Sequence, residues 1–193
     1  MIRHRLGLVA LLAAGLSGCG TTSAPPPRYY TLSAPPVEAA EPPAASLFAY
    51  VGPVTVPDAV DRPQMVLRAT ANQVELSEGH RWAEPLKGEI PRVIADNLMR
   101  ELKTQRISGS RVAAGIPADY RIAIDVQRFD SSRESGASVD ALWIIRKGNG
   151  DAHRTGRTEA REPAAGGEPA DLAAAHSRAL ARIARDIAAA IRH

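Results

Sequence analysis

The sequence predicts an α+β domain: two helices packed on a mostly antiparallel, mixed sheet, preceded by a proline-rich tether. Three observations carry this. Tyr120, Ile122, Ile124 and Val126 alternate with Arg121, Ala123, Asp125 and Gln127, the two-residue period of a strand buried on one face. Near the C-terminus Leu172, His176, Leu180, Ile183, Ile187 and Ile191 fall within about a 100° arc at ~100° per residue, the stripe of an amphipathic helix. The patterns along the chain run strands, helix, strands, helix, the order of an antiparallel sheet with helices on one layer.

The first 18 residues have the three parts of an export signal. Arg3, His4 and Arg5 give a cationic start, and Leu6 to Leu16 is an apolar run followed by small residues. That run has the length of a signal core and falls short of the roughly 20 residues that span a bilayer. The segment ends Leu16-Ser17-Gly18-Cys19, which resembles the lipobox of bacterial lipoproteins. The thiol is the nucleophile that receives the lipid, and the small residues before it let the backbone enter the signal peptidase. The resemblance implies cleavage after Gly18, a diacylglycerol and an N-linked acyl chain on Cys19, and no other cofactor. One acyl chain anchors only marginally, so a stable anchor needs several. Cys19 is the only cysteine, so no internal disulfide is expected. Gly20 stands where Asp retains lipoproteins at the inner membrane under enterobacterial-type sorting, which favours the outer membrane with the protein facing the periplasm.

Residues 19–46 read as the lipidated tether. Seven of the 15 prolines lie between Pro25 and Pro43 and large apolar side chains are few, a composition that stays extended. At ~3.1 Å per residue it would reach tens of ångströms. Arg28-Tyr29-Tyr30-Thr31-Leu32 interrupts it, and two adjacent aromatics suit a short strand docked on the domain better than a free linker.

The domain proper is read as 47–193. Phe48 to Val56 holds β-branched and aromatic positions and ends at Pro57-Asp58, a turn opener. Met65–Thr70 and Gln73–Leu76 flank Ala71-Asn72 as a hairpin. After Trp82, the residues Leu86, Ile90, Val93, Ile94, Leu98 and Leu102 step mostly by four, and Pro91 sits early enough to start or kink that helix. Ser138 to Lys147 is a strand with Val139, Ala141, Trp143 and Ile145 on one face. Gly148-Asn149-Gly150 supplies the positive-φ residues of a tight turn, and His153 to Arg161 returns as a polar edge strand. Ala164 to Glu168 is a loop before the last helix. On that helix Arg178, Arg182, Arg185 and Arg192 oppose the apolar stripe. A membrane-surface helix shows such a face, but Asp171 and Asp186 dilute its charge and favour a core-packed helix with a solvated arginine side. There is no internal repeat.

The chain of 193 residues has 24 basic and 21 acidic side chains; cleavage after Gly18 removes two arginines and leaves 22 against 21. So balanced a charge gives no nucleic-acid footprint. Arginine outnumbers lysine 21 to 3, which reads as base-composition bias.

No pattern of catalysis or metal binding appears. His80, His153, His176 and His193 have no metal-ligand spacing, and there is no His-Glu-x-x-His helix. His176, on an apolar stripe, reads as a packed, hydrogen-bonded residue. Ser108-Gly109-Ser110 reads as a turn after the helix, not a nucleophile elbow. The pairs Asp58/Asp61 and Glu84/Glu89 suit capping of backbone amides or pairing with Arg62. The protein reads as a non-enzyme.

Four stretches together resemble a known family. They are Val51-Gly52-Pro53-Val54-Thr55-Val56-Pro57-Asp58, Asp61-Arg62-Pro63-Gln64, Trp82-Ala83-Glu84-Pro85-Leu86 and Ile94-Ala95-Asp96-Asn97-Leu98. Tyr29-Tyr30-Thr31-Leu32 and the closing helix around Ala175-His176-Ser177 fit as well. The set is similar to the PqiC/YmbA family, auxiliary lipoproteins of ABC-type, MCE-protein envelope transport systems. The resemblance implies a non-enzymatic accessory at the outer membrane. It would dock a periplasm-spanning MCE-domain protein that carries lipids or other hydrophobic molecules, served by an inner-membrane permease and ATPase. A structural or pilot lipoprotein of another envelope complex is the alternative, and homo-oligomerisation stays open. The candidate docking or family-motif residues are Tyr30, Pro57, Asp58, Arg62, Trp82 and Pro85. Trp, Tyr and Arg are the types in which binding energy concentrates. Trp82 also reads as a core plug at the helix start and Arg62 as a turn-stabilising ion pair, while Trp143, on its alternating strand, reads as core.

Overall fold

The computed structural model describes residues 25–36, 47–148 and 153–192. The elements are β1 (Arg28–Tyr30), β2 (Ala49–Thr55), β3 (Gln64–Thr70), β4 (Gln73–Trp82), α1 (Leu86–Leu102), β5 (Ile107–Ser108), a 3-10 helix (Arg111–Gly115), β6 (Tyr120–Ser132), β7 (Gly136–Lys147), β8 (His153–Glu162) and α2 (Pro169–Arg192). The fold is α+β, with α1 and α2 packed on one face of an open, mixed sheet of eight strands. Its long ladders are antiparallel, β6 with β7, β7 with β8 and the β3–β4 hairpin.

Parallel contacts join these ladders. One edge of β6 carries β7 over its whole length. The other edge is divided: its first half pairs with β2 from Ala49↔Tyr120 to Thr55↔Asp125, and its second half meets β3 at Leu67↔Ser131. The sheet therefore forks along β6. The sequence shows how the strand accommodates this. Alternation holds to Val126, then Gln127 and Arg128 both stay exposed before Phe129 turns inward, and the register to β7 shifts at the same place. Such a bulge bends and twists a strand.

The apolar stripe of α2 is buried from Leu172 through Ile187, with Arg178, Arg182, Arg185 and Arg192 exposed opposite. That stripe faces the sheet, so it is not free for a membrane surface. Ala173, Ala179, Ala184 and Ala188 on the buried side let the helix approach closely. From β7, Val139, Ala141, Trp143 and Ile145 all point into the core. Trp143 lies over Gly156 on β8, where any side chain would collide with the indole. Its Nε1 donates to Thr158 Oγ1 at 3.2 Å, and Thr158 donates to Asp186 Oδ2 at 2.8 Å, linking β7, β8 and α2.

Several expectations change in detail. The hairpin's second strand runs on to Trp82 instead of ending at Leu76, because β1 pairs with its far end. Ser108-Gly109-Ser110 is not a simple turn: Ser108 closes the short strand β5 beside β2, and Ser110 caps the 3-10 helix by accepting from Val112 N. Pro91 lies inside α1, which starts five residues earlier at Leu86. Gly148 has the positive φ of 56° expected of the tight turn, whereas Asn149 and Gly150 lie outside the described residues. The signal segment, Cys19 and residues 37–46 lie outside them too.

Candidate functional site

The scattered candidate residues come together at one corner, where β2 and β4 end and α1 begins. Trp82 N donates to Pro63 O at 2.7 Å, tying the end of β4 to the 56–63 loop. Within that loop Val60 N donates to Pro57 O at 3.0 Å, Asp61 N to Asp58 O at 3.3 Å and Arg62 N to Val60 O at 2.9 Å. Lys87 Nζ donates to Asp61 Oδ2 at 2.6 Å, which links the loop to the first turn of α1 and raises the lysine pKa. Asp61 thus pairs with Lys87 and not with its neighbour Arg62. The Arg62 side chain is exposed and makes no ion pair among the described residues. Pro85 is the exposed N-cap residue of α1, its carbonyl accepting from Gly88 N at 2.8 Å and Glu89 N at 3.1 Å.

Trp82 is 4% exposed and packs edge-on to Phe129 and His176, whose rings stack with centroids 3.9 Å apart. Its ring belongs to the core and its role at the corner is to hold the backbone. His176 is fully buried, and Nε2 hydrogen bonds Ser131 Oγ at 2.8 Å. Burial pushes its pKa down to about 3, so the imidazole is neutral. Asn97 of the family pattern is buried as well, donating to Val93 O at 2.8 Å.

The N-terminal segment is strapped to the same corner. β1 lies parallel to β4 with Tyr30 opposite Trp82, and Tyr30 Oη shares a 2.7 Å hydrogen bond with His80 Nδ1. Ala83 N donates to Tyr30 O at 2.8 Å, Leu32 N to Glu89 Oε1 at 2.8 Å and Ser33 N to Ser177 Oγ at 3.0 Å. Leu32 itself is 2% exposed. Glu89 is therefore an amide-binding carboxylate, but it serves the strap and not its own helix. Burial raises its pKa, opposed by the Leu32 N–H and the Arg92 guanidinium.

Beside the corner a cleft of about 410 Å³ opens at the fork. Pro57, Ala59 and Val60 form one wall, Val66 and Val74 another, and Arg68, Arg128 and Asp130 the polar side. Arg68 Nη2 meets Asp130 Oδ1 at 2.7 Å, while Arg128 Nε stays 4.0 Å from Asp130 Oδ2. Of these, the sequence singled out Pro57 but not Arg68, Arg128 or Asp130. The slip in alternation between Val126 and Phe129 was the signal available, since it marks the bulge around which the cleft forms.

The family model for the ABC-type transport auxiliary lipoprotein component matches residues 30–188. The chain belongs to this family. Membership agrees with the PqiC/YmbA resemblance and makes the chain an accessory component of an ABC-type transport system, of a membrane-anchored lipoprotein type that is not known as an enzyme. Among solved structures, an uncharacterized protein superposes with a TM-score of 0.71 at 16% identity, covering 86% of this chain and 99% of its own. Protein XCC0632 from Xanthomonas campestris, of family DUF330, superposes with a TM-score of 0.61 at 20% identity, covering 83% of this chain and 91% of its own. These two likenesses establish the fold alone. No curated protein matches significantly. The auxiliary lipoprotein's match begins at Tyr30, inside the strap, so the strap is part of the family's domain and not only of its linker.

Proposed function

We propose that this auxiliary lipoprotein is anchored through lipidated Cys19 at the outer membrane and docks the periplasm-spanning MCE protein of a lipid transport system. The observation that carries the reading is the gathering of Tyr30, the 57–63 loop and the Trp82–Pro85 turn at one corner, beside the strap that leads to the anchor. Asp58, Arg62 and Pro85 stand exposed there on a backbone fixed by buried Trp82 and by the Asp61–Lys87 pair. A rigid corner offering exposed polar groups suits protein docking, because little side-chain and loop entropy is lost on binding.

The test is in-cell crosslinking of the natively lipidated, C-terminally tagged protein, followed by mass spectrometry of what co-purifies. Recovery of an MCE-domain protein, weakened by Arg62→Glu, supports the reading. Recovery of a different envelope assembly with no MCE protein transfers the role to the alternative, a pilot or structural lipoprotein.

A further inference from the structure

The fork cleft carries a charge imbalance that its own contacts do not cancel. Asp130 is engaged by Arg68 at 2.7 Å. Asp140, opposite Arg128 on β7, is gripped by Arg157 through Nε at 2.8 Å and a second bond from Nη2, which holds its carboxyl below the usual range. Among the cleft's own charges two arginines, Arg68 and Arg128, face one carboxylate, Asp130; Arg128 lies 4.0 Å from it, within the field of Asp140 as well, with its side chain 51% exposed. Asp58, on the wall-forming loop, is not among the residues that line the cleft. Apart from Gln127 the remaining lining residues are apolar, among them Pro57, Ala59, Val60, Val66 and Val74. The volume lies within the range of small-molecule sites, roughly 300–1,000 Å³.

We infer that the cleft at the sheet fork binds a single-chain amphiphile with an anionic head, the head on Arg128 and the first part of the chain along Val66 and Val74. A guanidinium with free donors forms charge-assisted bonds to a carboxylate or phosphate, and the apolar walls cover the methylenes that water disfavours. Fatty acids and lysophospholipids share this chemistry. The inference deepens the transport reading and rests on it for the source of the ligand.

The experiment uses natively lipidated protein in its membranes and a dodecanoate bearing a diazirine on its chain, below its micelle threshold, with mass spectrometry locating the adduct. Adducts should concentrate in residues 57–60, 66–74 and 127–130 and be displaced by unlabelled dodecanoate. Loss of a charge-assisted bond weakens binding about tenfold or more, so Arg128→Gln should cut labelling by that factor at sub-saturating probe. It should spare labelling by the matching diazirine dodecanol. Ala59→Trp, at an exposed wall position, should remove both signals without shifting the melting temperature. Displacement by lysophosphatidylglycerol at lower concentration than dodecanoate would assign a phosphate head; the reverse would assign a carboxylate. Scattered adducts without competition, or labelling unchanged in both variants, overturns the proposal. So does a cleft variant that keeps labelling and loses the crosslinked partner, since the cleft is then a protein surface. Co-purification in the same membranes reads the docking proposal separately, so each can fail alone.

Discussion

At His176 the fold holds a neutral imidazole between Phe129 and Trp82, with Ser131 as its polar partner. Nδ1 is buried without a partner among the described residues, so the tautomer that satisfies the site carries the proton on Nε2 and donates to Ser131 Oγ. The folded-state pKa of about 3 lies below the ordinary 6.5, so the unfolded chain takes up a proton first as pH falls. Stability is therefore present above pH 6.5 and lost progressively between 6.5 and 3. At 1.36 kcal/mol per unit, this one residue removes about 2–3 kcal/mol by pH 4.5. His176→Phe keeps an aromatic on Phe129 but strands the Ser131 hydroxyl, costing about 1–3 kcal/mol at pH 7. Its acid limb should be flatter by that pH-dependent amount. Denaturant unfolding from pH 7.5 to 4.5 gives both slopes, and parallel curves would mean the imidazole is not buried neutral. Glu89 acts with the opposite sign: its raised pKa means stability is present at low pH and declines as pH rises through the folded value.

Among the elements, the strap and the corner are where small changes have distinct consequences. Glu89→Ala leaves the buried Leu32 N–H without its acceptor, an expected cost of about 1–3 kcal/mol, with earlier proteolysis near residues 31–36. Glu89→Gln keeps an acceptor and should cost less. Cleavage of the alanine variant at the wild-type rate would show that the strap does not depend on this bond. Trp82→Ala should cost about 3–5 kcal/mol, because an aromatic leaves a filled core; a near-normal melt with lost partner recovery would move the ring to an interface. These elements also show what was legible in the sequence. β6, β7 and α2 were readable because each has one buried face and one solvated face, and the period records that. The second half of β4 was not, since Ser77 to Arg81 is polar on both sides and is held in the sheet by β1, fifty residues away in sequence. The fork was hidden for the same reason: it depends on parallel pairing between distant segments. Of the corner, the sequence displayed the residue types but not their assembly, and it suggested Arg62 for Asp61 where Lys87 from the next helix reaches the carboxylate.

For the molecule as a whole, the position of β1 decides how far the domain stands from its anchor. Composition marks residues 19–46 as one tether, yet the sheet takes up Arg28–Tyr30. The chain between Cys19 and β1 is then residues 20–27, which at the fully extended limit of ~3.3–3.6 Å per residue spans no more than about 30 Å. With Cys19 as the proposed anchor, the corner beside β1 lies within that reach of the membrane. Cys19→Ser should release the protein from the membrane fraction with an unchanged melting temperature, because Cys19 precedes every described element of the core in sequence. Retention at the wild-type level would remove the lipid anchor from the account. Given that anchor, twenty Gly/Ser residues inserted after Gly20 should leave folding and membrane retention intact but lower partner crosslinking severalfold, since a longer flexible tether dilutes the corner relative to a partner at fixed height. The same insertion placed between residues 37 and 46 should leave crosslinking unchanged, because it follows β1 in sequence and does not lengthen the path from Cys19 to β1. Equal losses from both insertions would mean that β1 does not carry the connection, and that the stand-off is set by the whole proline-rich segment.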